Sequence, residues 1–257
     1  MSGSDDKIDP VAMARRDLQT KLPRRFYKQA AATVEGQGFA LTLDGRPART
    51  PGRQALAVPS LPLMEKIVAE WNAQQDVIDP RAMPITRIVN TAIDGAGQVE
   101  AIAAEIVRYG CSDLLIYRAG EPDVLVREES AAWDPVLAWA REELGARFVL
   151  GEGVMFVPQP DQVEAALAMA VARAGGSTEV APLRLASLQV WTTTTGSALL
   201  ALAVGLKHLT PEEAWAAAHV DEDYQMRLWG QDAEALERRA QRWGEALAAA
   251  TILATTA

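Results

Sequence analysis

Two histidines, one cysteine and scattered carboxylates are the side chains in this sequence that can do chemistry. A metal site needs three or four nitrogen, sulfur or oxygen ligands at set spacings, and His208, His219 and Cys111 match none of them. Both histidines read as surface or helix-end residues, His208 near a helix C-terminus where a cation is favourable. Cys111 reads as a small buried apolar residue, because no neighbouring motif activates it. The hydroxyls of "TTTTGS" (192–197) have no histidine beside them in sequence, so they are expected to stabilise a helix break. Asp94 and Asp113 are candidates for general acid–base work, which requires one cleft holding both. Nothing in the sequence brings these two together. There is no nucleophile elbow, no phosphate-binding loop followed by lysine and no dinucleotide fingerprint, and no cofactor is expected.

The sharpest feature is Glu222. Residues 210–230, "TPEEAWAAAHVDEDYQMRLWG", read as one helix. Thr210 suits the N-cap, Pro211 the first helical position, Glu213 a capping box and Gly230 the end. At about 100° per residue, Trp215, Ala218, Met226 and Trp229 share one stripe, with Glu222 in its middle. Ala217, Val220, Tyr224 and Leu228 form a second stripe that can face the core. Glu222 is then either half of an ion pair, with an arginine such as Arg184 or Arg238, or the charge in an exposed apolar patch. A fully buried pair costs about 3–5 kcal/mol to break. In a patch, the apolar area supplies affinity for a partner and the charge sets register. The residues alone leave both readings open.

The cluster Arg24, Arg25, Lys28, Arg46, Arg49 and Arg53, with Phe26 and Tyr27, can bind single-stranded nucleic acid on a small barrel, or be a solvated strand edge guarded by charge. Overall charge argues against the first, since the net value is −9. That charge is uneven. Residues 1–60 hold ten Lys and Arg against six Asp and Glu, and the remainder fifteen against twenty-eight.

These side chains sit on a chain of two textures. Residues 1–22 are polar and aperiodic, a mobile tail without a hydrophobic run to serve as a signal peptide. Residues 23–60 carry short apolar runs between the turn signals "EGQG", "DGRP" and "TPGR", which predicts three to five short antiparallel strands. Asp44-Gly45 suits a two-residue hairpin turn. From 61 to 257 helical periodicity takes over, with an extended interruption at "GVMFVPQP" (153–160) and a restart at Pro135 within "ESAAWDPVLAWAREELG". The final helix starts at Asp232, with Leu236, Ala240, Trp243, Leu247 and Ala250 as its apolar seam. "GSALLALAVGL" (196–206) is too short to span a bilayer and reads as a buried helix. The fold class is α+β, a small antiparallel β-rich N-terminal domain followed by a larger mainly α-helical one.

At "RRFYK" (24–28), "LDGRPARTP" (43–51), "EWNAQQDVIDP" (70–80), "MPITRIVNTAID" (83–94), "WDP" (133–135) and "DEDYQMRLWGQDAEA" (221–235) the chain resembles a known family. This is the ATP-twelve family, the assembly chaperones of the F-type ATP synthase α subunit. The resemblance runs from residue 24 over nearly the whole chain, and "CSDLLIY" (111–117) departs from it by Cys and Ser where the family has threonine and aspartate. It implies a non-enzymatic protein that binds the free α subunit and covers the surface later taken by β; a monomer is expected. It implies a partner-binding site at Glu222 with Asp221, Gln225, Met226 and Trp229, and neither nucleic acid nor membrane insertion. The expected location is the bacterial cytoplasm, or the mitochondrial matrix for a processed eukaryotic form.

Overall fold

The structure, a computed structural model, describes residues 22–153 and 155–257. The tail expected over 1–22 lies outside them except for Leu22.

Turn chemistry builds the first layer. Strands β1 (Ala30–Glu35) and β2 (Gly38–Leu43) pair antiparallel from Ala30↔Leu43 to Glu35↔Gly38. Asp44 and Gly45 have φ of 49° and 79°, the two positive values such a hairpin loop requires, and they turn the chain back as β3 (Arg46–Pro47). β4 (Ala57–Val58) pairs with the other end of β2. Flanked on both edges, β2 buries Ala40, Leu41, Thr42 and Leu43 in succession.

Helix α1 (Leu61–Ala73) starts where the Ser60 side chain accepts from the amide of Leu63, and it buries Leu63, Met64 and Ile67. The end of α1 reaches three ways. Glu70 accepts from the amides of Ile85 and Thr86 and so caps α2 (Pro84–Asp94). The Trp71 carbonyl accepts from the Tyr27 hydroxyl at 2.6 Å. Asn72 exchanges two hydrogen bonds with the backbone of Ala30, at 2.8 and 2.9 Å, as a neighbouring strand would. Three consecutive residues thus tie α1 to α2, to Tyr27 and to β1.

The remaining elements are α3 (Val99–Gly110), β5 (Tyr117–Arg118), α4 (Asp123–Trp139), β6 (Gly151–Glu152, parallel to β5), α5 (Asp161–Gly175), α6 (Ala181–Thr195), α7 (Ala198–Gly205), α8 (Pro211–Ala218), α9 (Val220–Trp229) and α10 (Ala233–Thr255). All of α7 is buried. Beside it, Arg184 of α6 is 6% exposed and donates to the carbonyls of Ala174, Gly205 and Leu253, near the C-terminal ends of α5, α7 and α10. Those carbonyls have no helical donor left, and the negative ends of three helices surround the cation. Arg184 is thereby committed to the core and is not the partner of Glu222.

Three helical expectations are corrected. α4 does not restart at Pro135 but runs through it, because buried Trp133 and Val136 hold the turn that proline alone would break. The run 182–209 breaks at Gly196 (φ 74°) as expected and the Thr195 hydroxyl accepts from the Ser197 amide there; what differs is the N-cap of the following helix, which is the Ser197 hydroxyl accepting from Leu200. The seam of α10 is not continuous. Leu236 and Leu247 are exposed, whereas Ala246, Ala249, Ala250, Ile252 and Leu253 face the core.

Candidate functional site

The segment 210–229 is two helices. The Thr210–Glu213 capping box forms as expected, but the helix breaks at His219, where φ and ψ are −118° and 19°. Neither glycine nor proline marks the place. Carbonyls that a continuous helix would use are taken by side chains instead. The Trp215 carbonyl is 2.7 Å from His219 Nδ1, and the Ala217 carbonyl accepts from the Trp133 indole at 2.7 Å. The His219 amide turns to Ala216, one residue short of the α-helical pattern. His219 is thus at a helix end as expected, but buried, against the Trp215 ring at 4.0 Å. Burial pushes its pKa down, with the cations of Arg239 and Arg242 adding to that.

Past the break the chain runs along the edge of the core, against which Val220 and Trp243 still pack. No residue from 220 to 245 is buried, so α9 and the first half of α10 form an exposed helical hairpin. The two-stripe wheel fails accordingly. Trp215 packs inward on Trp243 at 5.1 Å, while Trp229, assigned to the same stripe, is 82% exposed. Charge does much of the holding. Glu222 meets Arg242 at 2.9 Å and the ring of His219 at 3.8 Å, Asp223 bonds Arg239, and Arg227 bonds Glu128 of α4. Three acids in the first turn of α9 also suit the positive end of its dipole.

A groove of about 820 Å³ runs between α9 and α10, lined by Asp221, Glu222, Gln225, Met226, Arg238 and Arg242 among others. Four of the five expected site residues meet there. Trp229 stands beside it, its indole N–H donating to Gln225 Oε1 at 3.0 Å. The partner of Glu222 is neither Arg184 nor Arg238 but Arg242, twenty residues away in sequence, and Arg238 bonds Glu234 instead. Glu222 keeps about half of its side-chain surface, so the pair contributes about 0–1 kcal/mol to stability. The basic wall of Arg238, Arg239 and Arg242 lies on one helix face by its spacing, opposite Asp221, Glu222 and Asp223, and of the three the sequence singles out Arg238 alone.

The other candidates have structural tasks. Asp113 is fully buried and accepts from Leu115, the Ser197 hydroxyl and Leu199, joining α3 to α7. Burial raises its pKa to about 6 against those stabilising bonds. Asp94 ends α2 and holds the Thr50–Gly52 loop through the Thr50 hydroxyl and the Gly52 amide. The two aspartates share no hydrogen-bond partner among the described residues. Cys111 is half-buried at the end of α3, not fully buried as expected. In the basic cluster, Arg25 spends its guanidinium on the carbonyls of Tyr27, Lys28 and Gln74, and Arg49 bonds the carbonyl of Arg53. No helix among the described residues is long and apolar enough to cross a membrane.

Known proteins place this architecture. A model of the ATP12 chaperone protein family matches residues 24–141. The Atu1473 protein of Agrobacterium tumefaciens superposes with a TM-score of 0.87 at 46% identity, over 98% of this chain and 93% of that one. Atp12 of Paracoccus denitrificans superposes at 0.82 with 38% identity, over 91% and 99%. The mitochondrial protein atp12 of Schizosaccharomyces pombe is 24% identical over 140 residues, 51% of this chain, and the match spans about half (48%) of that relative's length. The hairpin lies beyond the stretch matched by the family model. With near-complete coverage of a solved Atp12 at this identity, the chain belongs to the ATP12 chaperone family.

Proposed function

We propose that this chain is a chaperone of ATP synthase assembly that binds the free α subunit through the α9–α10 hairpin and shields its β-facing surface until β replaces it. The observation that carries this reading is the position of Glu222. It is half-exposed at a groove in a hairpin with no buried residue, in a member of a chaperone family. Asp221, Gln225 and Met226 line the same groove, and Trp229 with Leu228 adds exposed apolar surface next to it. Aromatic anchors beside a polar rim are the usual make-up of a binding surface. A holding protein of this kind needs no chemistry. A final partner with a larger interface displaces it by mass action, so the reading is of a non-enzymatic, monomeric protein. The site of action would be the bacterial cytoplasm or the mitochondrial matrix.

The test is co-purification with purified free α subunit, wild type beside Glu222→Lys, with circular dichroism on both. The expected result is a folded variant that no longer retains α. Failure of the wild type to retain α overturns the reading.

A further inference from the structure

Strand β1 leaves one edge of the sheet open. In an antiparallel pair, alternate residues bond the partner strand, and those between point their N–H and C=O the other way. The Asp44 amide donates to the Gln29 carbonyl at 2.9 Å, and the register continues from Ala30↔Leu43 to Glu35↔Gly38. Ala31, Thr33 and Glu35 therefore bond β2, while Ala30, Ala32 and Val34 aim their backbone groups away from it. The first of these three is occupied, because Asn72 donates to Ala30 at 2.9 Å and accepts from it at 2.8 Å. Ala32 and Val34 have no such partner among the described residues.

Such an edge is ordinarily blunted by lysine, proline or a bulge. Residues 30–35 hold neither lysine nor proline, and their register runs without a bulge. The arginine of β3 pairs along β2, not on this edge. Val34 is 75% exposed and stands opposite the partly buried Phe39, which pairs in turn with Val58 of β4. An apolar row thus runs out to an open backbone edge. Exposed charges mark its two ends, Lys28 before the strand and Glu35 at its close.

We propose that the open edge at Ala32 and Val34 takes an extended segment of the protein this chaperone holds, as one more antiparallel strand. The edge sets the chemistry of that segment. It has free backbone groups at two alternate positions, an apolar side chain against Val34, a basic residue by Glu35 and an acidic one toward Lys28. Proline at either bonding position is excluded. A second copy of this chain fits less well, since pairing two β1 strands about Thr33 sets Glu35 against Ala31 and offers it no cation. A stable interface also buries at least about 1,200 Å², more than a few edge residues supply. A client held at the α9–α10 hairpin as well needs no such area here. The identity of the occupant rests on the proposed function; the open edge does not.

Ala32→Pro tests it, because it removes an outward N–H and leaves every β1–β2 bond in place. Calorimetric titration with purified free α subunit should show affinity about fivefold weaker, with a thermal melt close to wild type. Val34→Lys puts a charge on the edge without altering the backbone. It should weaken binding likewise, and it decides the matter if the proline variant does not fold. In the wild type, the Ala32 and Val34 amides should exchange fast in the free chain and slowly in the complex. Unchanged affinity in the folded variants, or amides that stay fast in the complex, overturn the proposal. So does a wild-type dimer in sedimentation that Val34→Lys abolishes. Where wild type and both variants retain α equally, the strand alone falls; where wild type fails to retain α, the chaperone reading falls and the strand with it.

Discussion

The indole N–H of Trp133 donates to the carbonyl of Ala217, and in a continuous helix that same carbonyl would accept from Asp221. A side chain of α4 thus decides where α8 ends, and hence the direction in which the hairpin leaves. Trp133→Phe keeps most of the apolar volume and removes the donor. We expect a loss of about 1 kcal/mol in unfolding free energy, with slower exchange at the Asp221 amide as the freed carbonyl recaptures it. Chemical denaturation and residue-resolved exchange check the two halves separately.

Asp113 gives a pH dependence of definite sign. Its folded pKa, about 6, lies above the unfolded value of about 4. Its titration therefore contributes stability that is complete below about pH 4 and is lost as pH rises through about 6, up to about 3 kcal/mol. Asp113→Asn cannot titrate, and it places an amide where three donors converge, so it lowers stability overall while flattening that slope. Urea midpoints for both proteins, measured on either side of pH 6, check the prediction.

Trp229 separates folding from binding. At 82% exposure its truncation to alanine should leave stability within about 0.5 kcal/mol of the wild type. If it anchors the α subunit, affinity drops about tenfold or more. Calorimetric titration with free α subunit beside a thermal melt reads both. An unchanged affinity would remove Trp229 from the contact surface.

What could be read from the sequence follows the range of the interaction. The Asp44–Gly45 turn and the Thr210–Glu213 capping box involve residues one to three apart, and both stand as expected. The break at His219 was hidden because its cause is a tryptophan 86 positions earlier, which no local pattern encodes. For the same reason the sequence offers Arg184 and Arg238, and not Arg242, as partners of Glu222. Arg184 turned out to be needed by three helix ends, and Arg238 faces along its own helix to Glu234. Four of the five expected site residues came together because they lie within one short helix. The walls contributed by α10 required the folded chain.

The hairpin is fastened by Glu222–Arg242, Asp223–Arg239 and Arg227–Glu128, whereas α7 and the inner half of α10 are fastened by alanine and leucine. Ionic strength acts on these two kinds of attachment differently. Screening shortens the reach of exposed charges to about 8 Å in physiological salt and about 3 Å at 1 M, while apolar burial is not weakened by it. Added salt therefore loosens the surface offered to a partner before it touches the core, and the molecule carries a soft working end on a frame that salt leaves alone.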